Sequence, residues 1–151
     1  MKRTKRAYYA GLTDGEGYIG LIPFKNSLFY RPRVKISLVK ERQSIQIMEE
    51  LKDNFKGSIN FYSHKEENDN RRDAIRWEIA DKKRVRRFLL QIMPYLILKK
   101  EKAEIALKYM SIPWKNCRLW RGQKKGIYDQ KFVNERHKLA KELKQLNKRG
   151  T

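Results

Sequence analysis

The sequence predicts an α+β fold in the order αββαββα, with a four-stranded antiparallel sheet, its helices on one face, and a further C-terminal helix. Three observations lead there. Apolar residues recur at helical spacing in several separated stretches, while the stretches between them alternate apolar and polar. The alternating stretches come in two pairs bounded by turn residues, the pattern of hairpins. Each pair carries one apolar face and one polar, mostly basic face, so helices cover one side of the sheet and the other stays open.

Residues 4–14 read as the first helix. Ala7, Gly11 and Gly15 fall every four residues and so lie on one side, and with Ala10 they make a face with almost no side chain. Glycine costs about 1 kcal/mol relative to alanine inside a helix, so this spacing needs a reason. A bare face lets a second backbone come close. Asp14-Gly15-Glu16-Gly17 then ends the helix in a glycine-bracketed turn. It sets two carboxylates at the negative end of the helix dipole, where they are disfavoured and a bound cation would offset them.

Residues 18–25 follow as a strand and Lys25-Asn26-Ser27 as a hairpin turn. In the next strand Val34, Ile36 and Leu38 point one way, and Arg31, Arg33, Lys35 and Ser37 the other. Pro32 confines its early part to an edge or a bulge. Residues 41–54 return to helical spacing through Ile45, Met48, Leu51 and Phe55. Gly57 opens the second hairpin. There Ile59 and Phe61 alternate with Ser58, Asn60 and Tyr62; after a polar loop, Ile75, Trp77 and Ile79 alternate with Ala74, Arg76 and Glu78. Asp81 is an N-cap for a helix carrying Val85, Phe88, Leu89 and Ile92, which Pro94 breaks. A further helix runs from about Lys99 to Met110.

The chain divides near residue 112 into a core unit, 1–112, and a basic C-terminal loop and helix, 113–151, packed on it. Residues 115–151 hold 12 Lys/Arg against 3 Asp/Glu. Trp114, Trp120 and Tyr128 alternate with cations, a phosphate-contacting composition. Asp129 caps a last helix with Leu139, Leu143 and Leu146 on one side.

Across 151 residues, 37 Lys+Arg stand against 17 Asp+Glu, a formal charge of +20, yet 40% of residues are hydrophobic. A chain of that kind folds and presents its charge on a surface, so a polyanion is the expected partner. Nucleic acid fits better than membrane, because no apolar run approaches the about 18 residues of a span and the basic N-terminus lacks an apolar signal core. A lone Cys117 excludes an internal disulfide and a cysteine-cluster zinc site. With only His64 and His137, the sequence points away from a histidine-based metal site or a histidine-rich nuclease motif, and a nuclease would hold its metal with carboxylates. Glu16 is then the first candidate ligand, with the Gly15 carbonyl adding a second hard oxygen. Asp14 is the alternative, read more simply as stabilising the turn.

Tyr9 to Gly17 resembles the LAGLIDADG motif of homing endonucleases, with Ala10-Gly11-Leu12 and Asp14-Gly15-Glu16-Gly17 as its matching core. Tyr9 stands where the family usually has Leu, and Thr13 where it prefers an aliphatic residue. The element order carries the resemblance over roughly residues 4–110. It implies a metal-dependent, intron-encoded DNA endonuclease that cuts both strands of a long palindromic or near-palindromic site, leaving short 3′ overhangs. It further implies a homodimer paired through Ala7, Gly11 and Gly15, with magnesium or another divalent cation at Glu16 and Gly15. Lys99, at the end of Leu96-Ile97-Leu98, matches the family's second catalytic position. Lys40 falls at the third, where the family often has Gln, and Gln43 is the competing assignment.

DNA reading is expected on the open sheet face, from Asn26, Tyr30, Arg31, Arg33, Lys35 and Ser37 on the first hairpin, and Asn60, Tyr62, Arg72 and Arg76 on the second. Arg121, Lys124 and Lys125 are expected to hold phosphates. No acidic residue interrupts the Arg31/Arg33/Lys35 alternation. The resemblance places the protein inside the cell with DNA, in a prokaryotic cytoplasm or an organelle, and brings in intron RNA as a further partner. The competing reading is a non-catalytic protein on the same fold, a maturase or a transcription regulator. A structural RNA-binding protein explains the charge but not the Gly-Glu-Gly turn.

Overall fold

The computed structural model describes residues 1–24, 29–63, 72–113 and 130–149. Helix α1 (Arg3–Glu16) leads into β1 (Gly17–Pro23), which pairs with β2 (Tyr30–Val39). Then come α2 (Arg42–Phe55), β3 (Ser58–Tyr62), β4 (Ala74–Ile79), α3 (Lys82–Ile92), a 3₁₀ turn (Met93–Tyr95), α4 (Lys100–Ser111) and α5 (Gln130–Arg149). The sheet order is β1-β2-β4-β3, and every pair is antiparallel.

Register fixes the two faces. Val34 pairs with Ile19 on one side and Ile79 on the other, and Ile36 with Gly17 and Trp77. Strand side chains alternate between faces. Ile19, Leu21, Val34, Ile36, Ile75, Trp77 and Ile79 therefore all meet the helices, and all are buried. Met48, Leu51 and Phe55 of α2 and Val85, Phe88, Leu89 and Ile92 of α3 close over them. Phe88 stands edge-on to Phe55 at 4.9 Å between ring centroids and lies 5.2 Å from Trp77. Fully burying side chains of this size contributes about 1.5–3 kcal/mol each. Asp81 caps α3 as expected, accepting from the Arg84 N–H at 3.0 Å.

Pro32 pairs with Leu21, while β2–β4 pairing begins only at Val34. Its missing donor thus falls where β2 has a neighbour on one side only. Helix α5 adds Leu139, Ala140 and Leu143 to the same core. Its Asn147 donates to the Ile19 carbonyl of β1 at 2.9 Å, so the helix lies along that edge strand. The expected Lys25-Asn26-Ser27 turn, the 65–70 loop and the Asp129 cap lie outside the described residues. Among the described residues no helix is long and apolar enough to cross a membrane.

The end of α1 differs from the expected turn. The helix continues through Gly15 to Glu16, and Gly17 is extended, with φ −89° and ψ 154°. No left-handed glycine terminates it. Gly17 is needed for room instead, since a Cβ there would lie 2.5 Å from the Thr13 carbonyl oxygen.

Candidate active site and nucleic-acid interface

Helix α1 has a filled side and a bare side. Tyr9, Ala10 and Thr13 are buried. Tyr9 packs edge-on to Phe55 and its hydroxyl donates to Glu50 of α2 at 3.3 Å. Burial and the Glu50 carboxylate push that phenol well above its usual range. The Thr13 hydroxyl donates to the Tyr9 carbonyl at 2.7 Å. Both departures from the family pattern are thereby satisfied within the chain. Ala10, expected with the small face, belongs to the core. Ala7, Gly11, Gly15 and Glu16 are exposed, and a Cβ at Gly11 or Gly15 would meet nothing within 4 Å.

The C-terminal end of α1 is tied to the start of α4. Asp14 accepts from the backbone N–H groups of Ile97 at 2.8 Å and Lys99 at 2.9 Å. Its carboxylate thus fixes the segment before α4 rather than its own turn. The Lys99 ammonium donates to the carbonyls of Thr13 at 2.9 Å, Asp14 at 2.7 Å and Gly15 at 3.3 Å. Asp14 and Gly15 are among the final carbonyls that a helix leaves without partners, while the Thr13 carbonyl also accepts from the Gly17 N–H. The cation that offsets this helix end is therefore Lys99 itself, so the helix dipole alone does not call for a metal. Partial burial and the Lys102 ammonium push the Lys99 amine below its ordinary range, while Asp14 and Glu16 pull it back. Beside this junction Ile97 is 82% exposed and Leu98 76%.

Glu16 closes α1 with an exposed carboxylate that has no hydrogen bond or ion pair among the described residues. A hard dication wants several oxygen ligands. Glu16 and the Gly15 carbonyl suit one by donor type. Among the described residues, however, no group of three or more metal-binding side chains forms within one chain.

Lys40 and Gln43 compete for the third expected position. Lys40 follows β2, its N–H bonded to the Asp73 carbonyl at 2.8 Å and its ammonium 5.5 Å over the Phe61 ring. Gln43 lines a groove with Thr4, Lys5 and Tyr8, beside the N-terminal half of α1 and away from Glu16.

On the open face, Arg33, Lys35 and Ser37 of β2 stand beside Arg76 of β4. Arg76 donates from Nε to Ser37 Oγ at 2.9 Å and from Nη1 to the Tyr62 hydroxyl at 3.1 Å. Arg31 lies 4.8 Å from the Phe24 ring centroid. Asn60, paired with Arg76, and Arg72, just before β4, are exposed. Two expectations are corrected. Tyr30 shares the parity of Val34 and Ile36, so it turns to the helices, where its hydroxyl meets His137 Nδ1 at 2.9 Å and its backbone bonds Tyr109. The cationic row is also interrupted. Glu78, paired with Lys35 across β4, places a carboxylate 3.2 Å from Arg33 Nε and 4.0 Å from Lys35 Nζ. Sequence parity alone put Glu78 on this face with Arg76; only the β2–β4 register sets it among these cations. Asn26, Arg121, Lys124 and Lys125 lie outside the described residues.

This helix end, sheet and helix layer belong to a known class. The chain belongs to the LAGLIDADG endonuclease family, whose model matches residues 9–111. No curated protein matches the sequence. Among solved structures, the homing endonuclease I-CvuI in complex with its target is 19% identical, with a TM-score of 0.65 over 95% of this chain and 82% of that one. The archaeal intron-encoded homing endonuclease I-Vdi141I, complexed with DNA, is 15% identical, with a TM-score of 0.64 over 95% and 84%. The LAGLIDADG homing endonuclease I-GzeII is 20% identical with a TM-score of 0.60; the match covers 89% of this chain and 43% of that one. At these identities the likeness is one of fold.

Proposed function

We propose that this chain is a metal-dependent, site-specific DNA endonuclease that works as a homodimer paired through α1. The observation that carries the reading is the Glu16 carboxylate, without a partner among the described residues, at the end of a bare helix face beside a Lys99 held on three backbone carbonyls. Two such faces meeting across a two-fold axis bring two copies of Glu16 to one place, and exposed Ile97 and Leu98 extend the contact. Glu16 and the Gly15 carbonyl of each chain would hold a hard divalent cation, with phosphate oxygens completing its shell. Such a cation, when bound, activates water and stabilises the leaving oxygen. Lys99 adds a fixed positive charge beside Glu16 for the charge that develops on phosphate.

The two-fold pairing asks for a palindromic or near-palindromic target. The open face of the sheet supplies base contacts through Arg31, Arg33, Lys35, Ser37, Asn60, Tyr62, Arg72 and Arg76. The basic segment with Arg121, Lys124 and Lys125 adds phosphate contacts. The calcium and magnesium in crystals of I-CvuI with DNA support a divalent cofactor.

The test uses the full chain, magnesium and a plasmid library with randomised inserts. Cut plasmids should converge on one long, near-palindromic sequence. Glu16→Gln should bind that sequence in a calcium gel shift without cutting it. Tight binding by the unaltered protein with no cutting in any divalent cation would contradict the enzyme and leave a binding protein on this fold.

A further inference from the structure

Glu78 is an anion on a face built for DNA, where the phosphates of an incoming duplex repel it. Its surroundings give it a task. Arg33 Nε is shielded from solvent and lies 3.2 Å from Glu78 Oε1, close but not aligned as a hydrogen bond. On the opposite side, the Tyr18 ring folds over Gly20, the residue paired with Arg33, and the guanidinium pulls the Tyr18 phenol downward against the rise that burial gives it. Arg33 thus stands between Gly20 of β1, over which the Tyr18 ring folds, and Glu78 of β4. Among the described residues its Nη1–Nη2 edge carries no hydrogen bond. Arg76 differs, because Ser37 and Tyr62 occupy its Nε and Nη1.

We infer that Glu78 is a positioning residue for specificity: its carboxylate draws the Nε side of Arg33 toward β4 as an ion pair and leaves the outer fork to read guanine. Two parallel N–H groups match O6 and N7 of guanine in the major groove, and a guanidinium held in one plane loses less freedom on binding than a free one. Arg76 already commits two of its five N–H donors to Ser37 and Tyr62 within the chain. This inference rests on the proposed DNA reading and sharpens it to one base and one residue that does not itself touch the base.

The test is a binding selection from randomised duplexes, with the full-length protein in calcium so that nothing is cut. Unaltered protein, Arg33→Ala, Glu78→Gln and the double variant are compared. Arg33→Ala should erase a guanine preference at one position of each half-site. Glu78→Gln should weaken preference at that same position roughly tenfold while tightening binding to random-sequence DNA, because one anion has left the interface. In the Arg33→Ala background, Glu78→Gln should change base preference no further. Unchanged preference in Glu78→Gln overturns the inference. So does an altered preference at another position, or one that persists without Arg33, since Glu78 would then read a base directly. If the unaltered protein selects no sequence at all, the DNA-reading proposal fails first and this inference with it.

Discussion

The two sides of α1 are built from the same fourteen residues and treated in opposite ways. On the buried side the groups are engaged within the chain: Tyr9 reaches Glu50, Thr13 bonds back to Tyr9, and Ala10 leaves space for the core. On the exposed side nothing is filled. Gly11 and Gly15 face open space, and Glu16 ends the row without a partner among the described residues. One side serves folding. The other spends helix propensity on a surface that the described residues leave open, as the proposed two-fold contact requires. The contrast implies that changes on the buried side cost stability, and changes on the bare side cost assembly and chemistry.

The largest effect should come from Glu16→Gln, which removes a charge from the proposed hard-cation site. Cleavage should fall below detection in a plasmid time course, while the melting temperature stays within the change expected for an unpartnered surface residue, about 0.5 kcal/mol. A melting shift of several kcal/mol would move Glu16 to the structural side of the comparison. Next is Tyr9→Ala. Removing a buried aromatic of this kind costs about 3–5 kcal/mol, read by urea denaturation. Because Tyr9 faces away from the bare strip, variant protein kept folded at low temperature should still dimerise.

Much of this contrast was readable in the chain. The four-residue spacing of Ala7, Gly11 and Gly15 marks the bare side, and the two-residue alternation of β2 gives both faces of the sheet. The parity that buries Val34 and Ile36 also predicts that Tyr30 turns inward; the basic residues beside it masked that signal. The partners of Asp14 and Lys99 were not readable, because they join positions more than eighty residues apart in sequence. The same holds for Glu78 among the cations of β2, since register between strands is a tertiary property. Gly15 looked like a helix terminator, but Lys99 occupies the final carbonyls and the helix runs on to Glu16.

Lys99 and Asp14 belong to both sides and sharpen the division. Lys99→Met should abolish cutting and also cost about 1–2 kcal/mol, because the last carbonyls of α1 lose a charged donor. Asp14→Ala frees two backbone N–H groups before α4 and should cost about 1–3 kcal/mol, with the exposed Ile97–Leu98 segment losing amide-exchange protection first.

The smallest effect is a titration. Lys99 should lose its proton below the ordinary lysine value, seen in its ε-carbon chemical shift. Removing Lys102 should raise that value, and Glu16→Gln should lower it further. Since the folded value lies below the unfolded one, the unfolded chain holds more protons in this window. The penalty on the charged form is full below the folded value and is relieved as pH climbs through it toward that of a free lysine.

The central claim is that the bare side of α1 is a two-fold contact, and sedimentation velocity of Gly11→Leu tests it most directly. Beyond its own helix backbone, a Cβ there meets no atom within 4 Å among the described residues, and leucine is a better helix former than glycine by roughly 1 kcal/mol, so the single chain should fold unharmed. The account predicts a monomer with unaltered circular dichroism and no cleavage, beside a dimeric parent. A Gly11→Leu protein that still sediments as a dimer and still cuts would contradict it.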